Sequence, residues 1–121
     1  MSIDLVAAIA SKALDGLYAR QTTTAQNISN ANSPGYVPLR VSFESALRDA
    51  ASPRIGDTAA GLAARIGSVR AAIDAPLPLV SNTVRLDDEI ASASETAAQY
   101  SMLIGLLDRT MQIRQLAIKG A

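Results

Sequence analysis

Apolar residues return at alternating steps of four and three over both ends of the chain, and this spacing constrains the fold most. Ile3, Ala7, Ala10, Leu14, Leu17, Gln21, Thr24, Ile28 and Ala31 keep it in the first segment. Leu86, Ile90, Ala93, Ala97, Tyr100, Ile104, Leu107, Met111, Arg114, Ile118 and Ala121 keep it in the last. Such steps set one stripe along a helix, the seam by which long helices lie side by side. The predicted helices span roughly 43 Å and roughly 53 Å. Gly16 interrupts the first, at a cost of about 1 kcal/mol. The first stripe turns polar at Gln21 and Thr24, which suits a close polar contact better than open solvent.

The last helix has more apolar surface than one neighbour covers. Residues from Met102 to Ile118 place apolar side chains around about two-thirds of its circumference. Only Asp108, Gln112, Gln115 and Lys119 form a polar strip. Either other chains cover the surplus, or the middle of this chain folds back over it. Asp87, Asp88 and Glu89 fall in the expected first turn, where the helix dipole favours acids, and they read as a plain helix start. Arg114 lies inside the apolar arc, and burying an unpaired guanidinium is costly. It is a candidate interface charge, with Asp4, Asp15 or an acid of another subunit as partner. The alternative is that it reaches water along its stem.

Composition narrows the function classes. The chain has 121 residues, which suits one domain. Aromatic residues make up 3% and alanine dominates the apolar set, so a core would be thin for the length. Eleven basic residues balance eleven acidic ones, which argues against nucleic acid as a partner. There is no cysteine and no histidine, so thiolate chemistry and the commonest metal ligand and proton carrier are missing. The glycine pairs in 56–61 and 61–67 lack a preceding strand and a phosphate-binding lysine. No catalytic, cofactor-binding or metal site is expected, and an enzyme is not. The start of the chain lacks a basic leader region and carries Asp4, so no cleaved signal peptide is expected. No apolar run reaches the length of a membrane span, and no direct membrane span is expected.

Four stretches follow: an N-terminal helix in 1–33, a turn and short helix in 34–50, a variable middle in 51–82, and a C-terminal helix in 83–121. Val37, Leu39, Val41 and Phe43 alternate, which reads as a short extended segment. Pro38 argues against a central strand. One or two helical turns are expected after it, with Ser42 as N-cap. In the middle, Leu62, Ile66, Val69 and Ile73 form one amphipathic candidate, weakened by Gly61 and Gly67. The two prolines of 74–82 exclude a helix there.

Ser33-Pro34-Gly35-Tyr36 fits a type II turn: proline presets φ at its second position and glycine supplies positive φ at its third. Asn30 and Asn32 suit a helix end, by left-handed backbone or by an amide bonding freed carbonyls. An ordinary helix-ending turn would not explain why Asn27, Asn30 and Asn32 cluster with Tyr36. Amides at that density suit packing against other backbones.

The run Asn27-Ile28-Ser29-Asn30-Ala31-Asn32-Ser33-Pro34-Gly35-Tyr36 resembles the signature shared by bacterial flagellar rod, hook and hook-associated proteins. Ser29 and Ser33 stand where that signature has alanine and threonine. The stretches 41–50, 52–55 and 82–109 resemble segments of the short proximal-rod members. Arg85 and Ile90 depart from them, and the histidine of the second stretch is missing. The resemblance implies an all-α fold in which the long N- and C-terminal helices pair as an antiparallel coiled-coil hairpin, with an irregular or partly extended middle. It implies helix–helix packing through Leu14, Leu17, Ile28, Leu86, Ile90, Tyr100, Ile104, Leu107, Met111 and Ile118. It implies that Asn27–Tyr36 is an elbow handing over to contacts between subunits. The partners it implies are other copies, sibling rod proteins, the membrane-ring adaptor and the export gate. The implied location is the periplasmic rod of the basal body, reached unfolded by type III export. A small helical adaptor or secretion chaperone holding a partner helix is the alternative from a different class.

Overall fold

The computed structural model describes residues 2–75 and 83–120. Two long helices carry it, α1 (Ile3–Ser29) and α4 (Leu86–Lys119). Between them lie β1 (Arg40–Ser42), α2 (Glu44–Ala51), α3 (Ala59–Gly67) and β2 (Ala72–Asp74). Ser2 caps α1, its hydroxyl accepting from the Leu5 N–H at 3.1 Å. Thr58 does the same for α3 through the Gly61 N–H at 3.0 Å. α4 closes at Gly120, whose φ of 67° ends the helix in the left-handed region. Its 34 residues extend about 51 Å.

The all-α expectation needs one correction. β1 and β2 form an antiparallel pair, with Arg40 opposite Asp74, Val41 opposite Ile73 and Ser42 opposite Ala72. The alternation around Val41 and Phe43 is real, since both are buried, and Pro38 stays outside the ladder. Ser42 is not the cap of α2. Phe43 holds that position, and its N–H donates to the Glu44 carboxylate at 3.2 Å. The amphipathic candidate in the middle divides: Leu62 and Ile66 are buried on α3, Val69 is buried just beyond its end, and Ile73 is exposed on β2. Of the non-helical expectation for 74–82, Asp74 lies in β2, and residues 76–82 fall outside the described residues.

The hydrophobic core lies between α1 and the middle segment. Leu17, Val41, Phe43, Leu47, Ala50, Leu62, Ile66 and Val69 form it. Full burial of each large member contributes about 1.5–3 kcal/mol. Gly16 is what lets the middle approach: a Cβ there would sit 2.4 Å from the Phe43 ring. Arg20 stands over that ring, 5.0 Å from its centroid, and donates to the Val41 carbonyl at 2.8 Å. It also pairs with Glu44, and its hydrogen bond holds that carboxyl below the ordinary carboxylate range. The middle therefore folds back over α1 and not over α4.

The second face of α1 meets α4. Asp4 contacts Arg114, Gln21 contacts Ala93 and Asn27 contacts Glu89, so contacts run in opposite order along the two helices. On α1 the expected stripe is the inward one: Ala10, Leu17 and Thr24 are buried, and Leu14 and Ile28 are half-buried. On α4 the expectation is displaced by one residue. The inward line runs through Glu89, Thr96, Leu103 and Thr110, each one position before Ile90, Ala97, Ile104 and Met111. One residue is about 100° of helix rotation. Leu86, Ile90, Ile104, Met111 and Ile118 consequently turn away from the inward line and are exposed, while Leu107 is half-buried and Tyr100, 36% exposed, lines a groove beside α1. The physical reason lies on α1, whose half of the contact offers Gln21, Thr24 and Asn27. Asn27 is matched there by the Glu89 carboxylate and Gln21 by the Ala93 carbonyl, partners that an apolar stripe would not supply.

Candidate functional site

The asparagine-rich stretch folds as an elbow at the end of α1. Asn30 caps the helix with φ −104°, so it does not use the left-handed backbone expected of it. Its amide does bond a freed carbonyl, Gln26 O, at 2.9 Å. The Tyr36 N–H donates to Ser33 O at 3.2 Å and Gly35 has φ +74°, as the type II turn requires. Nothing lies within 4 Å of the place a Gly35 Cβ would take, so backbone conformation alone demands glycine. Asn32, Ser33, Pro34 and Gly35 are exposed, and Ser33 donates its hydroxyl hydrogen to Asn30 Oδ1 at 3.1 Å.

Asn27 organises the elbow from beneath. It is fully buried, with 0% exposure. Its Oδ1 accepts from Tyr36 Oη at 2.8 Å and from the Leu39 N–H at 2.9 Å. Its Nδ2 donates to Leu39 O at 2.9 Å and to Glu89 Oε2 at 3.1 Å. An asparagine amide offers two donor hydrogens and two acceptor lone pairs, and here all four are used. Toward Leu39 the amide acts as a neighbouring strand would, taking both backbone groups of one residue. Aspartate could not replace it, because both donors would vanish and a second carboxylate would face Glu89.

Glu89 is the buried charge of the site, 1% exposed. Arg40 Nη1 stands 2.6 Å from its Oε1, a charge contact from a half-exposed guanidinium. That same Nη1 donates to Leu39 O at 3.1 Å. Turn, strand and helix start thus meet at one point: Asn27 from α1, Tyr36 from the turn, Leu39 and Arg40 at β1, Glu89 from α4.

The expected helix-start acids divide here. Asp87 and Asp88 are exposed beside Arg85, whereas Glu89 turns inward as part of the site. The helix-dipole reading missed this role. The available signal was position: Glu89 lies seven, fourteen and twenty-one residues before Thr96, Leu103 and Thr110. Leu39 acts through its backbone, which no side-chain pattern reveals. Arg114 meets Asp4 at 2.8 Å, one of the acids expected, but as an exposed pair rather than a buried one. Among the described residues, no group of three His, Cys, Asp or Glu is placed to hold a metal ion. No helix among them is long and apolar enough to cross a membrane.

A groove between α1 and α4 is lined by Leu17, Tyr18, Gln21, Ala97 and Tyr100. Beyond it α4 presents Met102, Leu106, Ile113, Leu116 and Ile118, 47–77% exposed. No protein-family model, curated protein or solved structure matches the chain.

Proposed function

We propose that the chain is a structural subunit of the bacterial flagellar basal-body rod, in its proximal part. It joins copies of itself and sibling rod proteins into the shaft that transmits torque for motility. In this reading α1 and α4 pair as an antiparallel coiled-coil hairpin, and the outward stripe of α4 is buried by neighbouring subunits. The subunit travels by type III export without a cleaved signal and meets the membrane-ring adaptor and export gate at the base. It carries no catalytic step and no cofactor. The observation that carries the proposal is the elbow. The run that resembles the flagellar signature folds into one bonded unit, with Asn27 and Tyr36 bonded to each other and Gly35 at positive φ.

A small adaptor that holds a partner helix is the second reading, and the uncovered apolar face of α4 favours it equally. The two separate on Gly35→Val. Valine at φ +74° is strained by about 1–2 kcal/mol or more. A rod subunit with this change is exported normally but neither assembles nor supports swimming. Normal motility in that strain removes the rod reading. Purified wild-type chain that binds one partner at fixed stoichiometry and never polymerises establishes the adaptor.

A further inference from the structure

The four bonds of Asn27 divide unequally. Three close on the lobe that contains it, at Tyr36 Oη and at the backbone N–H and C=O of Leu39. One Nδ2 hydrogen is left, and it meets Glu89 Oε2. Arg40 belongs to the same lobe and stands beside Glu89 Oε1. A donor and a cation, both fixed without help from α4, converge on the carboxylate that α4 brings.

The apolar contacts divide in the same way. Every buried residue of the core cluster comes from α1 or from the segment between Val41 and Val69. The buried residues of α4 are Glu89, Thr96 and Thr110, none of them apolar. Leu103 reaches the core only as a partly buried neighbour. The most deeply buried apolar side chains therefore lie within the lobe, and α4 meets it through apolar residues that are only partly buried, Leu103 among them. Polar contacts tie α4 down at Glu89, at the Ala93 carbonyl, which accepts from Gln21 Nε2 at a long 3.4 Å, and at Arg114–Asp4, which is solvent-exposed and worth little. The fully buried one, and the one that carries a carboxylate, is at Glu89.

We infer that the elbow is a preformed receptor for a carboxylate carried on the first turn of a helix. Glu89 fills it in cis, as the pin that docks α4 reversibly onto a lobe stable without it. The receptor is selective by chemistry: Nδ2 and the guanidinium offer donors and positive charge, and neither accepts a hydrogen bond. When α4 lifts, Glu89 regains water and Asn27 keeps three of its four bonds, so the elbow survives. The pin works the same way whether or not the chain builds a rod.

Hydrogen exchange on the full chain, read amide by amide, tests the pin. Glu89→Gln keeps the side chain's size and an acceptor for Asn27 but removes the charge facing Arg40. The α4 amides then exchange about tenfold faster or more. Those of Leu47, Leu62 and Ile66 keep their wild-type rates. Arg40→Gln changes a side chain that is 58% exposed, and it gives the same selective acceleration. Equal acceleration in α4 and the lobe makes the molecule one cooperative unit and overturns the pin. Unchanged α4 rates in both variants overturn it as well.

Discussion

A Cβ at residue 16 would fall 2.4–2.6 Å from three atoms of the Phe43 ring, over which Arg20 also stands. Two effects oppose each other in Gly16→Ala. Helix propensity favours alanine by about 1 kcal/mol. Overpacking costs about 1–3 kcal/mol, and here the upper end applies because three ring atoms lie 2.4–2.6 Å from the new Cβ. A net loss of roughly 1–2 kcal/mol is expected in urea unfolding. Much of it should return in a Phe43→Leu background. A Gly16→Ala chain as stable as the parent would contradict this packing. Gly35 is constrained differently: open space surrounds it, and only its φ of +74° excludes other residues. The type II turn at Gly35 was legible from the sequence, because proline and glycine set local geometry by themselves. The purpose of Gly16 was not, because Phe43 lies in another element and sequence distance hides the contact.

Short elements depend on single side chains. The turn before α3 is closed by Arg65, which bonds both carboxylate oxygens of Asp57 at 2.8 and 2.9 Å. It also donates to Ala50 O and Ser52 O, joining α2, the turn and α3. The Arg65 guanidinium, and next the Arg54 N–H, hold the Asp57 carboxyl down at about 2, below its ordinary 3.8. A depressed folded-state value means the pair's stabilisation is present above the ordinary carboxylate range. It is lost as pH falls through about 2. A carboxyl NMR titration of Asp57 should show that low midpoint, and Arg65→Gln should return it toward the ordinary range. An ordinary midpoint in the parent chain would exclude the clasp. Nothing in the spacing of Asp57 and Arg65 announces it, since the geometry exists only once α3 has turned back on α2. The existence of α1 and α4 was legible from their periodicity. The face that α4 turns inward was not, because the stripe of greatest hydrophobicity is not the stripe that matches α1.

Across the whole molecule, apolar surface is unevenly shared. The lobe of α1 and the middle segment closes around its own core, while α4 keeps Ile90, Met102, Ile104, Met111 and Ile118 exposed. Large exposed apolar side chains gathered on one helix suit contact with other molecules. Ile104→Asp removes apolar area from that face without touching the core. Thermal unfolding should change by no more than about 0.5 kcal/mol. Sedimentation velocity at rising concentration should show association in the parent chain and its loss in the variant. A parent that stays monomeric at every concentration, or a variant that unfolds early, would contradict the reading of this face. The sequence alone determined the two long helices, the Pro-Gly turn and the excess of apolar residues on α4, because each follows from bonding and spacing within a few residues. The tertiary structure decided that the middle covers α1, that α4 is rotated by one position, and that Asn27 and Glu89 meet across 62 residues. These depend on which surfaces can satisfy buried polar groups together, and that match exists only between elements already placed against each other.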